Sequence, residues 1–449
     1  MNLVLVGRQT LDELEGLAVT HFSDVVDKGQ TALDFSGEVD RIYDEESLGH
    51  VFHMVPNKNL KQLRVLWNLP GSNDLWRSKP SSYLSHLLGH EGPGSLLSQL
   101  IREGLATSLQ SGNSTRLHNL VDQLRIEIGL TEEGERQYLR VLELVYKFVN
   151  ALRREGVREY VQEECRRMNE IDFDNITKSS ALSYANSLCS RLSKVSKEEE
   201  IAELLWRPYA KDEFRPEEIK RRIDLLRPER SVVVFVSKGV QQEGLMKEKW
   251  YGTQFRKEKL SDDFLANLEK TLPTANEPMG YPPANHLIPT ELTEKRQARA
   301  PEAPPSYPRK LVSPTPSTVW FKQDDQFAQP LTYAFLKIET GDLLYPLTPV
   351  SQAFSFLWKS CLFEHLREES YMASLAGLSY HLDISMDDLT LEVSGYNSKT
   401  AAFFKDLLQA SQGYTIERRL FEAKKALVIR QYENEAKKEP SARLDSYKY

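Results

Sequence analysis

Residues 86–113, HLLGHEGPGSLLSQLIREGLATSLQSGN, hold the features around which the rest of the chain can be read. His86 and His90 stand four apart, the spacing that puts two imidazoles on one face of a continuous helix, where a zinc ion could take both. Gly89 and then Gly92-Pro93-Gly94 break that helix at the second histidine, and neither an intervening glutamate nor a nearby third ligand accompanies the pair. A polar surface pair, or a pair that touches a peptide, fits better than a metal site. From Ser95 onward Leu97, Leu100 and Ile101 fall at helical spacing, so an amphipathic helix starts there. Its first N–H groups, with His86, His90 and Glu91 beside them, make a polar cluster able to hold a peptide by adding it to a sheet edge. The glycines miss the dinucleotide spacing and lack a Lys-Ser/Thr pair, which argues against a phosphate loop.

Working outward from this stretch, His50–Val55 and Gln62–Leu69 read as strands. The second sets Leu63, Val65, Trp67 and Leu69 against Arg64, Leu66 and Asn68. On the other side Leu120–Ile128 alternates in the same way, and Thr131-Glu132-Glu133 caps a helix that runs to Arg154. Ser231–Val236, SVVVFV, is a continuous apolar run expected at the centre of a sheet. At the start of the chain Leu3–Val6 reads as a buried strand, and Thr10 with Glu13 forms a capping box for a helix through Val25. A strand and one helix cannot fold alone, so the chain is expected to open in the interior of a domain.

Eleven of the 22 prolines fall between Thr271 and Thr318, which reads as an extended connector. Beyond it the order of elements repeats: strands near Thr318–Lys322 and Leu331–Ile338, a helical region from Pro349 to about Ser379, a strand at Leu389–Val393 and two more helices. Strands and helices in blocks point to an α+β fold in tandem domains rather than strict βαβ alternation.

With 40% hydrophobic residues the chain can bury sizeable cores, and its net charge of -7 argues against a nucleic-acid partner. No run of 18 apolar residues is present, so no membrane span is expected. Cys165, Cys189 and Cys361 are odd in number and widely spaced, which suits free thiols in a reducing, cytoplasmic compartment. His365-Leu366-Arg367-Glu368-Glu369 is one residue short of an HxxEH zinc helix and reads as a solvated helix face. Trp320, Phe335, Phe354, Phe356 and Trp358 read as core, and the pairs Arg153-Arg154, Arg166-Arg167 and Arg221-Arg222 as solvated.

Several motifs fall in collinear order: GHEGPGSLLSQL at 89–100, LRPE at 226–229, EKWYGTQF at 248–255, WFKQDD at 320–325, LAGLSY at 375–380 and VSGYN at 393–397. Together they resemble the insulysin branch of the inverzincin, or pitrilysin-type, zinc metallopeptidases. The resemblance implies mostly antiparallel sheets covered by helices. It implies that residues 1–37 are the end of a zinc-bearing first domain and 38–270 a second, non-zinc domain. A Pro-rich connector at 271–295 and part of a third domain at 296–449 would follow. It places the zinc helix outside this chain, so no catalytic residue, metal ligand or cofactor is assigned here, and a companion chain carrying the zinc domain becomes a candidate partner beside peptide substrates. It implies a peptide exosite at His86, Gly89, His90 and Glu91 with a strand edge at Leu109, Ser111 and Asn113. Ser111 and Asn113 depart from the glycine and glutamine expected there, and a short deletion follows Asn113.

Overall fold

The computed structural model describes residues 2–26, 28–29, 33–37, 42, 46–117, 120–193, 195, 198–241, 243–290, 292, 307–312, 317–324, 329–339, 349–384, 388–435 and 437–441. They fall into two compact units, Met1–Ala284 with Ala426–Tyr449, and Asn285–Lys425.

In the first unit α1 (Leu11–Phe22) starts where the capping box puts it. Thr10 Oγ1 accepts from Glu13 N at 3.3 Å, and the Glu13 carboxylate accepts from Thr10 N at 2.8 Å. None of its residues is buried. The expected strand at Leu3–Val6 does not form among the described residues; Leu3, Leu5 and Val6 are exposed, with no neighbouring strand to satisfy their backbone.

Next come β1 (His50–Met54), β2 (Gln62–Pro70), α2 (Pro80–Leu88), α3 (Leu96–Arg102), β3 (Ala106–Arg116), β4 (Val121–Leu130), α4 (Glu132–Arg136) and α5 (Tyr138–Glu155). They are followed by α6 (Glu159–Asp174), α7 (Ala181–Leu192), α8 (Pro216–Leu225), β5 (Ser231–Val236), β6 (Met246–Lys247), β7 (Gln254–Lys259) and α9 (Asp262–Lys270). The strands make a seven-stranded sheet in the order β3-β4-β2-β5-β1-β7-β6, antiparallel except where β1 meets β5. The apolar run of β5 is central, as its sequence requires.

Period-two alternation turns Leu63, Val65, Trp67 and Leu69 of β2 into the core, where they join Leu124, Ile126 and Ile128 of β4. Leu84, Leu87, Leu97, Leu100, Val145 and Phe148 from α2, α3 and α5 complete that cluster. Each such aliphatic side chain contributes about 2 kcal/mol by leaving water. Arg222 corrects the reading of its pair as solvated. It is 1% exposed, donating to Pro70 O, Gly71 O, Ser72 Oγ, Ser81 Oγ and the Glu218 carboxylate, while Arg221 stays at the surface.

The second unit contains a short hairpin, β8 (Arg309–Val312) with β9 (Val319–Phe321), and a three-stranded antiparallel sheet. That sheet orders β10 (Leu331–Glu339), β12 (Asp388–Tyr396) and β11 (Leu378–Ile384). Helices α10 (Pro349–His365) and α11 (Arg367–Leu375) precede the β11–β12 hairpin, and α12 (Asn397–Ser411) follows it; α13 (Arg418–Glu435) starts in this unit, and from Ala426 on it belongs to the first. Helix–helix–hairpin–helix thus occurs in both units. The strand β11 is an addition to the sequence reading, which carried the helix to about Ser379. Gly377 at φ 69° ends α11, and a Cβ on Gly395 would lie 2.4 Å from Gly377 O, so the LAGLSY and VSGYN motifs meet through two glycines.

The aromatic residues expected in this core are at the surface: Trp320 is 62% exposed and Phe335 64%, with Phe354, Phe356 and Trp358 also exposed. Alternation along β10 turns Ala334 and Leu336 towards the helices and Tyr333 and Phe335 to the opposite face, so the pairing that forms the sheet also exposes them. Among the described residues no helix is long and apolar enough to cross a membrane.

Candidate functional site

Pro80 at the first turn starts α2, and Gly89 ends it, its N–H donating to Ser85 O at 3.0 Å. Because the helix stops there, His90 lies past its end. The two rings meet edge to face, with centroids 5.8 Å apart. His90 is 2% exposed, and its Nδ1 accepts from Gly92 N at 3.1 Å, which leaves the ring proton on Nε2. Burial holds the His90 imidazole down at about 4. Burial, then the Lys211 charge and His90, hold His86 at about 3, so both rings are neutral at neutral pH. Glu91 is half-buried beside them.

The second half of the candidate site is β3, at one edge of the seven-stranded sheet and paired only with β4 among the described residues. Leu109, Ser111 and Asn113 lie opposite Ile128, Ile126 and Leu124 and share one face. Leu109 is buried in the core, Ser111 half-buried and Asn113 exposed. A Cβ on Gly89 would meet Ser85 O at 3.0 Å, Ser111 Cβ at 3.1 Å and Ser111 N at 3.3 Å. The absence of a side chain at Gly89 therefore lets the end of α2 rest against the open strand, bringing the histidine and strand-edge residues into one place. Ser111 Oγ is buried there with no partner among the described residues.

Ser95 caps α3, its Oγ accepting from Ser98 N at 3.1 Å. The 89–95 loop is braced by a segment that the sequence assigns to the connector. Gly280 N donates to Gly94 O at 3.1 Å, and Met279 is buried in the core. Glu277 accepts from Lys147 Nζ at 2.9 and 3.0 Å, from Thr274 N at 2.9 Å and from Arg140. Arg140 also reaches Glu103, at the end of α3, at 2.9 Å. Sequence reasoning missed this brace. Its signal is the Thr274-x-x-Glu277 spacing, a capping pattern inside the proline-rich run.

These residues do not fit a zinc ion. One nitrogen of His90 is taken by Gly92 N–H, and no group of three or more His, Cys, Asp or Glu among the described residues is arranged to hold a metal. His365 ends α10, and Glu368 and Glu369 start α11 after a break at Leu366, so the near-HxxEH residues do not share one continuous helix. The His365 ring stacks on Tyr414 at 4.2 Å.

Two family models match the chain: "Peptidase M16 inactive domain" over residues 1–169, and "Middle or third domain of peptidase_M16" over residues 173–449. Insulin-degrading enzyme of Homo sapiens is 31% identical over 440 residues, covering 98% of this chain and 42% of that protein. Nardilysin of Rattus norvegicus is 28% identical over 413 residues, 90% of this chain and 34% of that one. The chain therefore spans less than half the length of these curated relatives. Among solved structures, the crystal structure of pitrilysin aligns with a TM-score of 0.71 at 19% identity, covering 94% of this chain and 43% of that one, a likeness of fold.

Proposed function

Because the chain belongs to the peptidase M16 family, we propose that it holds peptide substrates for a zinc metallopeptidase without carrying the zinc site itself. A bound peptide adds as a strand to the open edge of β3 at Leu109, Ser111 and Asn113. Its N-terminal ammonium meets the Glu91 carboxylate, with His86, Gly89 and His90 forming the wall behind it. The observation that carries this reading is the close approach of Gly89, two residues before Glu91, to Ser111 on a strand that pairs with β4 alone among the described residues. The neutral imidazoles suit such a site, since a cationic histidine would repel the incoming ammonium.

In this reading residues 1–37 are the remnant of the zinc-bearing first domain, 38–270 the second domain, 271–295 a connector and 296–449 the third. The zinc, which polarises the scissile carbonyl and activates water in the family's chemistry, is supplied from outside the residues present, by a companion chain or by further sequence of a longer protein. The free thiols Cys165, Cys189 and Cys361 favour a cytoplasmic setting.

The test is a peptide titration. A peptide with a free N-terminus is expected to bind roughly tenfold more tightly than its acetylated form, the difference one charge-assisted hydrogen bond makes. Glu91→Gln should remove the difference; equal affinities for wild type would refute the site. The purified chain is expected to leave a fluorogenic peptide uncut, and chelator-sensitive cleavage would overturn the non-catalytic assignment.

A further inference from the structure

Cations gather at the N-terminal end of α2, where the nearby carboxylates are already engaged. Lys79, the residue before the helix, has the left-handed φ of 43°, and its Nζ donates to Pro208 O at 2.5 Å, which brings it against residues 207–211. Gln162 Nε2 donates to both Ser78 O at 3.3 Å and Lys211 O at 3.1 Å, so one buried amide clamps together the backbone segments that carry the two lysines. Lys211 is 7% exposed, and its ammonium has no acceptor among the described residues. Arg207, also buried, reaches Asn73 O at 3.3 Å and lies over the Trp76 ring at 5.0 Å.

Arg77 occupies the adjacent carboxylates, Asp212 at 2.6 Å through Nη1 and Glu203 through Nη2. No side chain caps α2, so the positive end of its dipole adds to the same field. Burial and then the charges of Lys211 and Arg207, opposed by Asp212, hold the Lys79 ammonium at about 8. Asp212, the carboxylate that acts on Lys79, is shared with Arg77, so positive charge is in excess around the two lysines and a bound anion would offset it.

We propose that Lys79 and Lys211 form an oxyanion site, with Arg207 and the N-terminus of α2 behind them, that takes a carboxylate or phosphate group. Two sources share this chemistry: an acidic side chain of a bound peptide, or free phosphate. The peptide source rests on the strand-addition reading above; the phosphate source does not. Helix α2 is nine residues long, so its start beside Lys79 and its end at Gly89 lie about 13 Å apart along the axis, the reach of about four extended residues.

The full chain is titrated calorimetrically with inorganic phosphate at constant ionic strength, and with two free-amine peptides that differ only by Glu or Gln at their fourth residue. Saturable phosphate binding that weakens at least tenfold in Lys211→Met and in Lys79→Met supports the site. Both variants should fold, since each removes a poorly neutralised cation, and an unchanged or raised thermal midpoint checks this. A tenfold preference for the Glu peptide, lost in Lys211→Met, identifies a peptide carboxylate as the occupant. Saturable phosphate binding with equal affinity for the two peptides identifies the free anion. A Glu preference that persists when N-terminal acetylation changes nothing would separate this site from the Glu91 reading. No saturable phosphate binding together with equal peptide affinities overturns the proposal.

Discussion

Glu277→Ala removes the centre of the brace behind the candidate site. The carboxylate accepts from Lys147 at 2.9 and 3.0 Å, from Thr274 N at 2.9 Å, from Thr274 Oγ1 at 3.0 Å and from Arg140. Truncation leaves the buried Lys147 with Glu143 at 3.1 Å, while Arg140 keeps Glu103 and Glu143. Removing one partner of a buried pair costs about 3–5 kcal/mol, and the surviving contacts put this case near the lower end, about 3 kcal/mol. With a urea slope of about 3 kcal/mol/M, the midpoint should fall by about 1 M. Acidity gives a second readout. Burial raises the Glu277 carboxyl, but the hydrogen bonds from Thr274, Lys147 and Arg140 together hold it well below its ordinary 4.5, at about 2. A carboxyl lowered in the folded state contributes fully above its unfolded value and loses that contribution as pH falls towards the folded one. The gap between wild type and Glu277→Ala should therefore be constant above about pH 5 and shrink between 4.5 and 2. A midpoint shift below about 0.2 M in urea, or a gap unchanged down to pH 2, would refute the brace.

Two further substitutions test the packing. Gly89→Ala adds a methyl 3.0 Å from Ser85 O and 3.1 Å from Ser111 Cβ, at a φ of -94° that alanine tolerates. The contact alone should cost about 1–3 kcal/mol in thermal unfolding and weaken peptide binding, and no change in either would show that α2 does not press on β3. Phe335→Ser should alter stability by less than about 0.5 kcal/mol, because the ring is 64% exposed, and a loss of 3 kcal/mol or more in urea unfolding would place it in a core.

Where a reading depended on neighbours in the chain, the sequence was a good guide. The alternation of Leu63, Val65, Trp67 and Leu69, the Thr10–Glu13 box, the Thr131 cap and the break at Gly89 are local patterns, and each has its counterpart in the fold. Readings that required a distant partner fared differently. Leu3–Val6 has the composition of a strand but no strand to pair with among the described residues, and Phe335 has the composition of a core but lies where the sheet turns it outward. Arg222 belongs to a charged pair that looks solvated, yet carbonyls about 150 residues away in the sequence receive its guanidinium.

The stretch at 86–113 shows the same division. Its sequence alone determined that a helix ends at Gly89, that another starts after Ser95 and that His86, His90 and Glu91 cluster at the break, because glycine, proline and capping serines act on their own backbone. Only the tertiary structure decided that Gly89 touches Ser111, that Glu277 braces the loop and that the segments carrying Lys79 and Lys211 come together. The lysines are 132 positions apart, and what joins them is Gln162 donating to two carbonyls, a contact that forms only once α6 packs beside the start of α2.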